Sequence, residues 1–402
     1  MGRAAILLVM GYSLILLFFG KTMGGLGVES LDNALSYYEN TQRYNIASAA
    51  ANYVCSKIYE DPSWTAGLDS VDFNGGTVSA TVTSDPTTNQ LHIACEATYM
   101  NTTQEIIIEM RPSSFSKFAY YGGTKASAAA WETGDTIGGP SHTQGKLKTF
   151  GSPVFMGKAS AYSGLQMSGS PKNPQFLGGF ENGVNIPMPS NTSYNTILSA
   201  ASSGGYSQTT GDLYLQFQAD GTVKWKTSSG ASWTTQTLSS FAPNGVIAID
   251  QGTLHVEGVL NGRVTLASLR STGHSGGTTE ITGDLVMAAD PRTDSTSDDM
   301  LGIVNYDDII IKDNSATTFT VEGSLYSAQG GLAVEHGTSR PAGVLYVYGG
   351  MMVQQLYATS NGASGSSRKG YNLSLKFDYR MANDSPSYFP ATGNYEIISW
   401  FE

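Results

Sequence analysis

The sequence predicts a mainly β protein with a long N-terminal α-helix, followed by an antiparallel meander and then a β-solenoid (β-helix). An apolar run opens the chain at residues 4–20, glycine is abundant at 47 of 402 residues, and charged residues make up only 14%. Few charges with many glycines, serines and threonines suit short strands joined by turns, whereas helix bundles use Glu, Lys and Arg heavily.

The apolar run at residues 4–20 is bracketed by Arg3 and Lys21. A membrane span needs roughly 17 to 25 apolar residues, so the run is long enough. Three interpretations stay open: a permanent anchor, a cleaved secretory signal, and a helix that leaves the membrane to pack with its copies in a filament core. The signal is the least favoured, because Phe-Phe-Gly-Lys-Thr-Met-Gly-Gly is a poor cleavage site. The residues expected to form the assembly surface are Ile6, Leu7, Leu8, Val9, Leu14, Ile15, Leu16, Leu17, Phe18 and Phe19.

An amphipathic helix is expected at residues 29–60, directly after the apolar run. Apolar residues recur there mostly at three- and four-residue steps, and Pro62 ends the pattern. Gly24, Gly25 and Gly27 interrupt the join. Each costs about 1 kcal/mol against Ala, so we expect one long rod with a weak or melted joint. The recurring apolar residues are Leu31, Leu35, Tyr38, Ile46, Ala50, Tyr53, Val54 and Ile58.

Three strand signals follow, at residues 77–83, 91–98 and 104–110. Their short, turn-rich connections predict an antiparallel meander. We therefore divide this part of the chain into an apolar helix at residues 1–28 and a helix-plus-meander unit at residues 29–115.

The two cysteines, Cys55 and Cys95, both lie in the helix-plus-meander unit. In an exported chain a lone pair of cysteines favours one disulfide, which we expect here. The bond would close a loop of about 40 residues, worth very roughly 3–4 kcal/mol in the chain-entropy model. Two buried free thiols are the alternative.

Residues 116–402 are expected to form the β-solenoid, with an insertion at about residues 160–245. Short β-rich segments recur at a spacing of roughly 20 to 26 residues, longer than the ~8 to 12 residues of a β-sandwich. Residues 254–260 are echoed by residues 319–325, and we expect these echoes to stack in register. The residues expected to point inward are Val256, Leu260, Val321 and Leu325.

No catalytic, cofactor or metal site is expected. Gly273-His274-Ser275-Gly276-Gly277 matches G-x-S-x-G, but the strand before and the helix after that a nucleophile elbow needs are missing. The five histidines are scattered. Asp290, Asp294, Asp298 and Asp299 could hold calcium, although a solvated loop is favoured. The net charge of −11 argues against a nucleic-acid partner.

Several local segments together resemble a poorly characterised group of bacterial envelope proteins with a minor-pilin-like N-terminus and a β-helical C-terminal region. They are the helix through 47–53, the meander, residues 134–147 (GDTIGGPSHTQGKL) continuing to 152–158, and the C-terminal NYEIISWFE. The resemblance implies a type IV pilin-like or filament-associated surface protein. The chain departs from that family at one position, because cleavage after Gly2 would place Leu7 where type IV pilins usually carry Glu.

Two function classes follow. The favoured one is a structural subunit of an extracellular filament or pilus-like surface appendage, assembled through the apolar helix. Its expected partners are further copies or other pilin-like subunits and the membrane, through residues 4–20. Its expected location is the cell envelope, on the extracellular face or in a secreted filament. The alternative is a membrane-anchored β-helix that binds or cleaves surface polysaccharide. That alternative needs aligned acids and aromatics, and the sequence offers Tyr346, Tyr348, Trp225 and Trp233 but no convergent acids.

Overall fold

The computed structural model describes residues 2–85, 89–125, 127–188, 192–270, 275–362 and 365–402. The chain divides into two compact units. Unit 1 comprises Met1–Pro112 and Gly393–Glu402, and unit 2 comprises Ser113–Thr392. The last ten residues therefore belong with the helix and meander, and not with a domain that extends from 116 to 402 as the sequence analysis expects.

Unit 1 begins with one continuous helix, α1 (Gly2–Glu60). The helix ends before Asp61-Pro62, as predicted. The expected long rod is confirmed, and its joint at Gly24, Gly25 and Gly27 is helical and not melted. Glycine weakens a helix, but unlike proline it keeps its N–H donor.

The meander of unit 1 is confirmed. Its strands are β1 (Leu68–Phe73), β2 (Gly76–Ser84), β3 (Leu91–Tyr99), β4 (Thr102–Ser114) and the C-terminal strand (Ala391–Phe401), which lie side by side in that order. The pairs β1–β2, β2–β3 and β3–β4 are antiparallel. Strand β1 was not predicted, although Asn74-Gly75 is a strong hairpin signal and both residues have positive φ, 51° and 81°.

The C-terminal part of α1 packs on this sheet. Small side chains such as Ala47 and Ala51 are fully buried there, so the alanine patch serves ordinary helix–sheet packing. The buried residues on the helix are Ile46, Ala47, Ala50, Ala51, Val54 and Ile58, and those on the sheet include Val78, Ala80, Ile93, Cys95, Ala97, Ile106 and Ile108. The buried helix residues of this core begin at Ile46.

In its described residues, unit 2 consists of short strands with two α-helices, α2 (Thr192–Gly204) and α3 (Leu238–Phe241). The strands are β5 (Tyr120–Gly122), β6 (Trp131–Glu132), β7 (Thr136–Gly138), β8 (Ser141–Thr143), β9 (Leu147–Phe150), β10 (Val154–Phe155), β11 (Ala159–Ala161), β12 (Leu165–Ser168), β13 (Gln175–Phe176), β14 (Phe180–Asn182), β15 (Tyr206–Gln208), β16 (Leu213–Phe217), β17 (Thr222–Lys226), β18 (Thr234–Thr237), β19 (Val246–Asp250), β20 (Thr253–Leu260), β21 (Arg263–Leu269), β22 (Thr278–Met287), β23 (Met300–Asn305), β24 (Ile309–Ile311), β25 (Thr318–Ser327), β26 (Leu332–Val334), β27 (Gly343–Val353) and β28 (Tyr371–Phe377). Single 3₁₀ turns are found at Phe115–Lys117, Gly365–Ser367 and Tyr379–Ala382.

Most of these strands form a parallel ladder made of two series. One series is β15–β19–β21–β23–β25–β27–β5–β8–β11–β14. The other is β16–β20–β22–β25–β27–β28–β7–β10–β13. A smaller parallel sheet has the order β12–β9–β6. The first strand of unit 2, β5, lies in the middle of the ladder. The last long strands, β27 and β28, therefore pair with the early strands β5 and β7.

The expected insertion at about 160–245 is mostly part of the ladder. Strands β11, β13, β14, β15 and β16 join it through parallel pairing. The hairpin with its turn at Asp220-Gly221 is confirmed, since β17 pairs antiparallel with β16 and β18 with β17. Helix α2 packs outside the ladder through Ile197 and Ala201. Val154 pairs with Gln175 and Ala159 with Phe180, so these strands continue the repeat spacing that the sequence predicts for the solenoid.

The four residues expected to point inward, Val256, Leu260, Val321 and Leu325, are all buried. The echoed segments do not stack in register, however. Strand β20 pairs Val256 with Ile281 but Gly258 with Leu285. Between these two pairs, β22 therefore has two more residues than β20. Leu285 then pairs with Val321. This irregularity shifts the second echo by two residues relative to the first.

A buried carboxyl, Asp135, connects the smaller sheet to the ladder. Its oxygens accept hydrogen bonds from the backbone N–H groups of Glu132 and Leu373, both at 2.9 Å. Burial raises the pKa of Asp135 to about 7, against the lowering effect of these hydrogen bonds. Neutral pH therefore lies close to the titration of an acid inside the fold.

Candidate assembly surface

The candidate functional site is the N-terminal part of α1, which is apolar and exposed. All ten residues predicted to form the assembly surface lie on this helix, and each side chain is between 57% and 75% exposed. Burying a Leu, Ile or Phe side chain is worth about 1.5–3 kcal/mol. An exposed rod of such residues therefore has a strong tendency to enter an apolar environment.

The apolar surface continues beyond the first 28 residues. Leu31, Leu35 and Tyr38 belong to the predicted amphipathic pattern, yet all three are exposed. The apolar core between the helix and the sheet of unit 1 begins at Ile46 and extends to Ile58, and polar contacts reach back to Tyr44, which donates to Glu402 at 2.8 Å. Residues 31–38 are helical, as the periodicity predicts, but their apolar side chains remain exposed.

One helix in the described part of the chain is long and apolar enough to cross a membrane, judged by length and composition. It is α1, whose most apolar 18-residue window has a mean hydropathy of 2.0 and is not buried in the fold. Exposed threonines on the helix satisfy their hydroxyls locally: Thr22 donates to the carbonyl of Phe18, and Thr41 to that of Tyr37, both at 2.8 Å. Such bonds let polar side chains sit in an apolar helix without leaving a donor unpaired.

Beside the buried part of α1, unit 1 has an apolar groove of about 400 Å³. Its rim includes the exposed side chains of Tyr53, Val71 and Phe73. The complete lining is Ala49, Ala50, Tyr53, Leu68, Val71, Phe73 and Val78. The apolar surface of unit 1 thus comprises both the exposed rod and this groove.

Cys55 and Cys95 are both free thiols in the structure, contrary to the expected disulfide. Cys95 is fully buried on β3, and Cys55 is partly buried on α1. Burial raises the pKa of Cys55, and it raises that of Cys95 to about 11, with a smaller contribution from Cys55. Because the thiolate is the form that oxidises, raised pKa values oppose disulfide formation.

Three of the four carboxylates considered for calcium make contacts within the fold, and the fourth, Asp298, is exposed. Asp290 pairs with Arg292 at 2.7 Å, and Asp294 accepts hydrogen bonds from Thr296. Asp299 is buried and accepts from the N–H groups of Gly262 and Ala289. Among the described residues no group of three or more His, Cys, Asp or Glu side chains could hold a metal ion.

The G-x-S-x-G match falls partly on residues 271–274, which lie outside the described residues. Ser275 itself is exposed, and strand β22 follows shortly after it, where a nucleophile elbow needs a helix.

The structure brings together a polar row that sequence reasoning missed. Parallel register places Tyr214, His255 and Glu280 side by side on β16, β20 and β22. The rings of Tyr214 and His255 stack at 4.1 Å with an interplanar angle of 4°. His255 Nδ1 lies 3.0 Å from Glu280 Oε2, and Nε2 lies 4.0 Å from Asp212 Oδ2. Burial lowers the pKa of His255, against the raising effect of both acids.

Further charges and aromatics extend this row. Lys312 contacts Glu280 at 3.5 Å and Glu335 at 2.7 Å. At the other end, Lys226 Nζ lies 5.2 Å from the ring centre of Tyr214 and 4.7 Å from that of Trp233. Acids and aromatics therefore do converge here, contrary to the sequence analysis. Only strand register aligns these side chains, and no local sequence signal could have found them.

No family model matches the chain, and no curated protein matches it. Among solved structures, the chain has similarity to the crystal structure of the competence-associated pilin ComZ from Thermus thermophilus. The two share 12% identity over 90% of this chain and 97% of that chain, with a TM-score of 0.38. Similarity of this size carries no conclusion about the present chain.

Proposed function

We propose that this chain is a structural subunit of an extracellular filament or pilus-like appendage, assembled through α1. The observation that supports this most is the exposed apolar rod of α1, which precedes the residues that pack in the core of unit 1 from Ile46 onward. A rod of that kind suits both a membrane before assembly and a core of packed helices after it. The proposal includes no catalytic step and no cofactor.

In this proposal, residues 4–20 hold the subunit in the membrane, and further copies or other pilin-like subunits cover the rod in the filament. Unit 2 is proposed to be a β-solenoid displayed on the extracellular face. Its two parallel strand series and inward-facing apolar residues such as Val321 and Leu345 support this interpretation.

A charge placed in the rod tests the proposal. We would compare cells that produce the native full chain, Leu17→Glu, or the control Thr41→Glu, which adds the same charge at an exposed polar position of the same helix. An acidic side chain at the centre of an apolar span costs roughly 2.5–3.5 kcal/mol. We expect Leu17→Glu to abolish surface filaments that contain the chain and Thr41→Glu to preserve them, as judged by negative-stain imaging and mass spectrometry. Equal filament yield from both variants would contradict the proposal.

Glycan binding at the outer face of unit 2 is a second candidate function. The row of Tyr214, His255 and Glu280, with Trp233 exposed beside it, supports this, because aromatic faces and acidic hydrogen-bond acceptors together suit sugar rings. Titration of surface polysaccharide into the detergent-solubilised chain should give saturable binding that Trp233→Ala weakens and Tyr379→Ala, at another exposed aromatic, leaves unchanged. Binding that is absent, or equally weakened by both changes, would remove this candidate.

A further inference from the structure

A pocket of about 200 Å³ lies at one edge of the ladder, and its lining shares no residue with the polar row. Register explains how it forms. Val353, Gly122 and Thr143 are aligned at the ends of β27, β5 and β8, so the chain segments that follow these strands leave the sheet at the same edge. Those segments supply three lysines to the lining, Lys125, Lys146 and Lys148. We call this site the lysine pocket.

The three lysines have no acidic partner. Across the described ranges, none of them forms an ion pair with a carboxylate, whereas Lys158 and Lys312 elsewhere in unit 2 do. Lys125 donates to the carbonyl of Gln329, and Lys148 donates to that of Ser127. An ammonium group has three N–H donors, so most of the donors at this pocket remain available. Such a concentration of positive charge is unusual in a chain whose net charge is −11.

The floor of the lysine pocket is polar and buried. Trp131 is 1% exposed and Thr143 is 7% exposed, and both line the pocket. The Trp131 indole N–H and the Thr143 hydroxyl lie near the Tyr120 hydroxyl, which also lines the pocket. Burial raises the pKa of Tyr120, so its hydroxyl stays protonated. The described residues that line the pocket include no carboxylate that would compete with an anion for the three lysines.

We propose that the lysine pocket binds a phosphate group, either as inorganic phosphate or as a small phosphate monoester. A single carboxylate has two oxygens and one charge, fewer than three ammonium groups can engage. A phosphate dianion supplies more oxygens and a second charge. The volume admits a phosphate with a small alcohol attached, and Leu147 and Leu356 give that alcohol apolar contacts.

Calorimetric titration of the full chain in detergent micelles tests this proposal, with inorganic phosphate, glycerol 3-phosphate and lactate as separate probes. We expect saturable binding of both phosphates and much weaker binding of lactate. Lys146→Gln and Lys148→Gln should each weaken phosphate binding by roughly tenfold, the loss of about one charge contact. The control Lys172→Gln, at an exposed lysine of the same unit, should have no effect.

Three results would overturn the proposal: no binding of either phosphate up to about 10 mM, lactate binding as tight as phosphate binding, or affinity unchanged by Lys146→Gln and Lys148→Gln. Thermal unfolding of each variant provides the folding check.

Discussion

Val321 lies inside the parallel ladder, where it is fully buried and pairs with Leu285 on one side and Val347 on the other. Val321→Asp removes apolar burial worth about 2 kcal/mol. It also places a carboxyl among apolar side chains without a partner, at a further cost of roughly 1–3 kcal/mol. We therefore expect a loss of about 4 kcal/mol in the free energy of unfolding of unit 2.

Thermal unfolding of the full chain, followed by circular dichroism, measures this loss. At roughly 2–4 °C per kcal/mol for a unit of this size, the midpoint of Val321→Asp should fall by about 10 °C. Thr318→Asp is the matched control, because it adds the same charge at an exposed position of the same strand. If Val321→Asp unfolds within about 2 °C of the native chain, Val321 does not face a packed interior and the inward assignment is wrong.

Further predictions concern pH, thiols and catalysis. The folded-state pKa of Asp135, about 7, exceeds the ordinary value of 3.8. The stability that protonated Asp135 contributes is therefore lost as pH rises from about 4 to about 7, by up to ~1.4 kcal/mol per pH unit. Asp135→Asn should flatten the pH dependence of the free energy of unfolding, measured with urea. Identical slopes for the native chain and the variant would contradict this. Cys95 should react with iodoacetamide far more slowly than Cys55 in the folded chain, and equally fast alkylation would show that Cys95 is accessible. No ester, peptide or polysaccharide hydrolysis is expected, and turnover abolished by Ser275→Ala would show that the chain is an enzyme.

Local signals predicted unit 1 well. The end of α1 before Pro62 and the strand alternation at 77–83 and 91–98 depend on neighbouring residues, which a sequence displays directly. The missed strand β1 is a partial exception, since its Asn74-Gly75 turn was visible. The prediction that α1 melts at Gly24, Gly25 and Gly27 was wrong, because glycine alone does not end a helix.

Non-local pairing was much harder to predict. The chain enters the ladder in the middle, so Met351 pairs with Tyr120 although they are distant along the chain. The C-terminal strand returns to the sheet of unit 1, which no periodicity indicates. The polar row around His255 depends on the register of β16, β20 and β22. The lysine pocket depends on the register of β27, β5 and β8. Their residue types were visible in the sequence, but their proximity was not.

The most direct test of the proposed function is photo-crosslinking in cells through a benzophenone amino acid in place of Leu16, an exposed residue of the rod. The same amino acid in place of Thr103, an exposed residue of β4, is the comparison. Assembly through α1 predicts that the Leu16 variant crosslinks in surface filaments to further copies or to other subunits with apolar N-terminal helices. Crosslinks from Leu16 to lipid alone, with no protein adduct in surface material, would show that α1 is only an anchor and would contradict the proposed function.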